Sequence, residues 1–128
     1  MQIRFARPTD KLEGVVKFYR DGLGLPVVGE FHDHDGYSGV MLGLPDDRTH
    51  LEFTHASGGS PCPAPTKDNL LVLYMPEEQD FMRAVNRMEQ TGHRSIEPEN
   101  PYWSVYGRTY EDPDGWRVVI YQGKAFQR

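Results

Sequence analysis

Apolar and polar positions alternate over residues 2–7, with Ile3 and Phe5 on one face and Arg4 and Ala6 on the other, the period-two pattern of a half-buried strand. Pro8 and Thr9 end it, and Asp10 with Glu13 has the form of a capping box. The period then changes. Leu12, Val15, Val16, Tyr19 and Leu23 share one helical face, and Gly22 and Gly24 stop the helix. Three strands follow near 25–31, 37–43 and 49–54, with HDHDG at 32–36 and PDDR at 45–48 as turns. The same order then returns. A strand over 69–75 has Leu70, Val72 and Tyr74 on its core side, and Pro76 opens a helix over 77–91 whose buried face is Phe81, Ala84, Val85 and Met88. Gly92 caps it, and strands near 94–97, 104–111 and 116–122 complete the second set, the last two joined by Asp112-Pro113-Asp114-Gly115.

Matching distances turn this similarity into a duplication. Gly24 to Glu52 is 28 residues and Gly92 to Val119 is 27; Arg4 to Gly24 is 20 and Asn69 to Gly92 is 23. The chain is therefore read as one α+β domain over 1–128: module one at 1–56, a Gly/Ser/Pro linker at 57–68, and module two at 69–128. One helix covers only one face of each sheet, so the opposite faces must meet each other or enclose something.

Composition narrows the partners. With 128 residues the chain can form a core without staples, and its single cysteine, Cys62, excludes an internal disulfide framework. A net charge of −5 argues against nucleic acid and anionic membrane as partners. No apolar run is long enough to span a bilayer, and MQIRFARPTD lacks a signal-peptide pattern, so a cytoplasmic location is expected.

The stretches DKLEGVVKFYRDGLGLPVV at 10–28 and TYEDPDGWRVVIYQ at 109–122 resemble the vicinal oxygen chelate superfamily, which includes glyoxalase I, extradiol dioxygenases, and fosfomycin and bleomycin resistance proteins. EFHDHDGYSGVMLGLP and ENPYWS look closest to its YycE-like subgroup. The resemblance implies two βαβββ modules forming a curved mixed sheet around a central cavity, helices outside, often in a homodimer. It also implies a divalent metal held from the first and last strand of each module. Those positions here are Arg4, Glu52, Asn69 and Val119. Arginine is a fixed cation without an acceptor, valine has no lone pair, and only Glu52 is a good ligand.

No metal, other cofactor or catalytic residue is therefore assigned. Alternation along the same strands instead turns His50, Arg117 and Tyr121 toward the cavity, with Trp103 as an aromatic wall. The expected ligand-binding set is Arg4, His50, Glu52, Asn69, Trp103, Arg117 and Tyr121, with an Arg4–Glu52 ion pair replacing the metal as the polar centre. The expected function is metal-independent binding of a small organic molecule, of the sequestering or resistance type. The alternative is a glyoxalase- or dioxygenase-like enzyme using a metal at shifted ligands, or Glu52 or His50 as general base. His32 and His34 read as turn residues, and His55 and His93 as surface or loop residues with no obvious partner in the sequence.

Overall fold

The computed structural model describes residues 1–44 and 48–126 and divides into two compact units, Met1–Cys62 and Pro63–Arg128. The predicted turn at 45–48 lies, except for Arg48, outside the described residues.

The first unit runs β1 (Ile3–Pro8), α1 (Leu12–Val16), a π-helical continuation (Lys17–Gly22), β2 (Val27–His34), β3 (Tyr37–Gly43) and β4 (Thr49–Ala56). Its sheet has the order β1-β4-β3-β2, with β1 parallel to β4 and the other pairs antiparallel. The predicted capping box does not form. The N-cap is Lys11, with no side-chain cap, and Asp10 instead accepts a hydrogen bond from the Ser60 amide. The π turn explains why Phe18 is buried as fully as the expected face. Its wider winding, seen in the bond from the Leu23 amide to the Phe18 carbonyl, turns Phe18 and Tyr19 inward together. Tyr19 packs on Phe53 at 4.8 Å between ring centres, over a floor that includes Leu42 and Leu51. Asp35 and Gly36, at φ 51° and 84°, form the two-residue hairpin between β2 and β3. Both positive values match the right-handed twist of the flanking strands.

The second unit runs β5 (Leu70–Met75), α2 (Glu78–Gln90), a 3-10 turn (Pro101–Trp103), β6 (Gly107–Glu111) and β7 (Arg117–Gln122), with sheet order β5-β7-β6. Helix α2 buries Phe81, Ala84, Val85 and Met88, as its periodicity predicts. It ends in a Schellman closure: His93 donates to the Met88 carbonyl and Gly92, at φ 87°, to that of Glu89. In the last hairpin the Asp112 carboxylate accepts from the amides of Asp114 and Trp116, fixing the Asp-Pro-Asp-Gly turn.

Three expectations are corrected here. The strand near 94–97 is reduced to a single bridge between Ile96 and Thr109, and the strand expected from 104 begins only at Gly107. Prolines at 98 and 101 follow the segment, and Asn100 accepts from the Tyr102 amide to start the 3-10 turn instead. Tyr74 is 38% exposed and lies opposite the helix. Arg108 lies over the Phe81 ring, so the register turns Leu73, Arg108 and Ile120 toward α2 and Tyr74, Gly107 and Tyr121 away from it. The second sheet is thus loaded on both faces, which a single apolar stripe in the sequence does not show.

Candidate functional site

In the first unit, the face of the sheet opposite α1 carries Arg4 on β1 and His50 and Glu52 on β4. The parallel register sets Arg4 beside His50 and Ala6 beside Glu52, which puts all three polar side chains on one face. Arg4 Nε donates to His50 Nε2 at 2.8 Å, and Arg4 Nη1 stands 3.8 Å from Glu52 Oε1. Arginine has no acceptor, so the imidazole supplies its lone pair through Nε2 and carries its proton on Nδ1. Arg4 is 48% exposed while Glu52 is only 15% exposed. The guanidinium therefore forms the open rim of the cluster and the carboxylate its recessed part.

Beside this cluster, Gly39 and Gly43 lie on the same face, opposite Thr54 and His50. A Cβ at Gly39 would fall 2.6 Å from the Phe31 ring, and one at Gly43 would fall 2.9 Å from Val28. The absent side chains let those larger groups lie down over the strand.

A divalent cation at the position the family resemblance implies does not fit Arg4, His50 and Glu52. The guanidinium brings a fixed positive charge, and it occupies the one His50 lone pair that faces it. Among the described residues, no three His, Cys, Asp or Glu side chains group closely enough to hold a metal ion. The pairs His32–Glu30, at 3.5 Å, and His34–Asp35, at 3.6 Å, are exposed hairpin contacts.

The other candidate residues belong to the second unit. Asn69 precedes β5 and accepts from the Thr66 hydroxyl at 2.6 Å. Val119 is fully buried. Arg117, 6% exposed, spends its guanidinium internally: Nε and Nη2 each reach Glu111 Oε2 at 3.0 Å, and Nη1 donates to the Glu97 carbonyl. That geometry ties the 94–97 segment to the final hairpin. Tyr121 and Trp103 lie 5.7 Å apart between ring centres, edge to face, within an aromatic group that also includes Tyr74, Tyr102 and Tyr106. Burial holds the Tyr121 phenol above its ordinary pKa, and its neighbours Tyr102, Tyr106 and Tyr74 act in the same direction. Burial also raises Tyr110, on the helix side, with Glu89 adding to it.

The sequence pattern singled out Trp103 and Tyr121 but not Tyr74 and Tyr106, whose neighbourhood depends on where the 3-10 turn lands. His55 is not without partners. Its Nδ1 donates to the Thr9 carbonyl at 2.9 Å and stands 3.5 Å from Asp10, joining the end of β4 to the end of β1. The contact spans 46 residues of sequence, so no local pattern announces it.

The model of the YycE-like N-terminal domain matches residues 3–54, and that of the YycE-like C-terminal domain matches residues 68–122. A curated relative, the uncharacterized protein YycE of Bacillus subtilis strain 168, is 49% identical over 97% of this chain and 89% of its own. The chain belongs to the YycE-like family. The crystal structure of a YycE protein of unknown function from Bacillus subtilis superposes with a TM-score of 0.91 at 48% identity, covering 98% of this chain and 92% of that one. More distantly, glyoxalase I of Leishmania major gives a TM-score of 0.72 at 18% identity, covering 96% of this chain and 86% of the other. TnmS3, an antibiotic binding protein from Streptomyces sp. CB03234, gives 0.65 at 19% identity, covering 97% and 96%. At these identities the likeness carries the fold alone. The YycE-like chain therefore shares the α+β fold of these glyoxalase and antibiotic-binding proteins.

Proposed function

We propose that this YycE-like protein binds a small organic molecule without a metal at the position its fold relatives use, in a sequestering or resistance role. The observation that carries the proposal is Arg4, whose guanidinium is held by His50 and faces Glu52, giving the sheet a fixed organic cation where metal chemistry needs a donor. A purified sample analysed for metals and heated with a panel of divalent ions tests it. The expected result is substoichiometric metal and no ion-dependent rise in melting temperature; stoichiometric metal with a metal-dependent rise refutes it. Arg4→Ala is expected to lower stability by about 1 kcal/mol, since it strands a largely recessed carboxylate while giving up only a half-exposed pair.

The enzymatic alternative keeps one supporting observation. Glu52 meets its cationic neighbour only at 3.8 Å, which leaves lone pairs free for general-base work, whereas His50 Nε2 is already engaged. Turnover lost in Glu52→Gln but retained in His50→Gln would favour that reading.

A homodimer and a cytoplasmic site of action belong to the same proposal. Among the described residues no helix is long and apolar enough to cross a membrane. Edge strand β1 exposes Ile3 at 52% and Phe5 at 55%, apolar surface along a sheet edge that a second copy would cover. Light scattering should then report twice the chain mass, and Phe5→Lys should shift it toward the monomer; a wild-type monomer at high concentration would remove the dimer.

A further inference from the structure

The second unit holds a cluster that the Arg4 site does not use. Tyr121 of β7, 6% exposed, is ringed by Tyr74 at 5.5 Å, Trp103 at 5.7 Å, Tyr106 at 6.2 Å and Tyr102 at 6.4 Å between ring centres. The outer rings are open: Tyr102 is 62% exposed, Tyr106 59% and Tyr74 38%. Solvent-facing aromatic surface is costly unless it meets a partner, and here the rings come from β5, the 3-10 turn, the loop before β6, and β7.

The arrangement is also fixed in place. Gly107, opposite Tyr121 on β6, leaves room for the Trp103 carbonyl, which lies 2.4 Å from where a Cβ would stand. One pleat further along the same face, Thr109 is 2% exposed, and its hydroxyl is buried without a hydrogen-bond partner among the described residues. A buried hydroxyl left in that state costs free energy that a bound polar group would return.

From these observations we infer that the Tyr74–Tyr102–Trp103–Tyr106–Tyr121 cluster binds a flat aromatic cation, with the Thr109 hydroxyl offering it a hydrogen bond. This rests on the small-molecule-binding reading and names its ligand class. Ring faces of Tyr and Trp attract positive charge and stack on planar groups. Tyr121, 6% exposed, is the buried ring against which the open faces of Tyr74, Tyr102 and Tyr106 are set. The cation on the same strand face, Arg117, is neutralised by Glu111, and the whole chain carries −5, so an anionic ring system is disfavoured.

The test uses the full chain and three probes: proflavine, a planar tricyclic cation; anthraquinone sulfonate, a planar tricyclic anion; and tetramethylammonium, a cation without a ring. Proflavine should quench tryptophan emission saturably at one site per chain and bind at least about tenfold more tightly than either of the others. The double variant Tyr102→Ala/Tyr106→Ala, which removes two exposed rings and should leave the fold intact, should weaken it about tenfold or more. Thr109→Val, nearly isosteric, should weaken it about fivefold while the melting temperature is unchanged or higher.

Absence of saturable proflavine binding overturns the inference, as do equal binding by the double variant and equal binding of the anionic probe. Wild-type affinity in Thr109→Val would remove the hydroxyl from the site. A dimer that the double variant converts to a monomer would assign the rings to a contact between copies, which also overturns it. If proflavine fails while another probe raises the melting temperature, the ligand class falls and the small-molecule reading stands. If no probe binds, the ligand class falls, and the small-molecule reading is decided by the metal analysis above.

Discussion

Replacing Gly107 by alanine tests how the second unit seats its 3-10 turn. A Cβ at this position would stand 2.4 Å from the Trp103 carbonyl oxygen and 3.2 Å from Val119 Cγ1. Ordinary contact begins near 3.4 Å, so the carbonyl must retreat by about 1 Å (3.4 − 2.4), and it is backbone rather than the end of a flexible side chain. Forced overpacking of this kind costs roughly 1–3 kcal/mol. Against it stands the gain of about 0.5–1 kcal/mol that alanine ordinarily brings over glycine inside a strand. The net expectation is a loss of about 1–2 kcal/mol, or roughly 3–8 °C in melting temperature for a chain of this size.

Urea unfolding followed by circular dichroism measures the loss, and tryptophan emission reports whether Trp103 has moved toward water. Gly58→Ala serves as the control, because nothing lies within 4 Å of its added carbon. If Gly107→Ala were as stable as the wild type, with unchanged emission, the seating of the turn against this glycine would be refuted.

Alkaline titration should show two late phenols. Tyr121 and Tyr110 are raised in the folded state, so the unfolded chain releases those protons first, and stability is full below about pH 10 and falls as pH climbs above it; stability that held flat or rose over that range would contradict the assignment. Glu111→Ala should cost about 2 kcal/mol in urea unfolding, less than the ~3–5 of a fully buried pair because Glu111 is 41% exposed, yet appreciable because Arg117 stays buried; no change would mean Arg117 finds another anion. His55→Ala should cost about 1 kcal/mol through the lost bond to the Thr9 carbonyl, and faster amide exchange at the ends of β1 and β4 would locate it.

How far the sequence foretells this molecule depends on the range of the forces involved. Helix α2, its glycine stop and the presence of a turn within 32–36 are readable because a few neighbouring residues determine them, although β2 runs on to His34 and leaves only Asp35 and Gly36 for the turn. The Arg4–Glu52 approach is also legible, since the family resemblance sets both residues at positions that would share one metal, and the parallel register of β1 with β4 puts them on one face. The Asp10 cap is misread because the Ser60 amide, 50 residues away, competes for the same carboxylate. The π turn has no pattern of its own, only its effect on Phe18. The lost strand near 94–97 reads as a strand locally and fails because Ile96 alone finds a partner on β6. The aromatic cluster is half visible. Trp103 and Tyr121 announce themselves, while Tyr74 and Tyr106 gain their meaning only from the register of β5 with β7 and the position of the 3-10 turn.

The parallel pairing of first and last strand in each unit carries a kinetic consequence. Ile3 meets Thr49 across 46 residues and Leu70 meets Arg117 across 47, so each unit must close a loop of nearly the same length before its sheet is complete. The entropic cost of closure grows only with the logarithm of loop length, and the two closures are therefore matched. The intervening hairpins β2–β3 and β6–β7 form locally and early, whereas the parallel ladders wait on the search that joins distant ends. Refolding should proceed through species whose hairpins are protected while β1 and β5 still exchange freely, with the closing strands as the shared bottleneck of both halves.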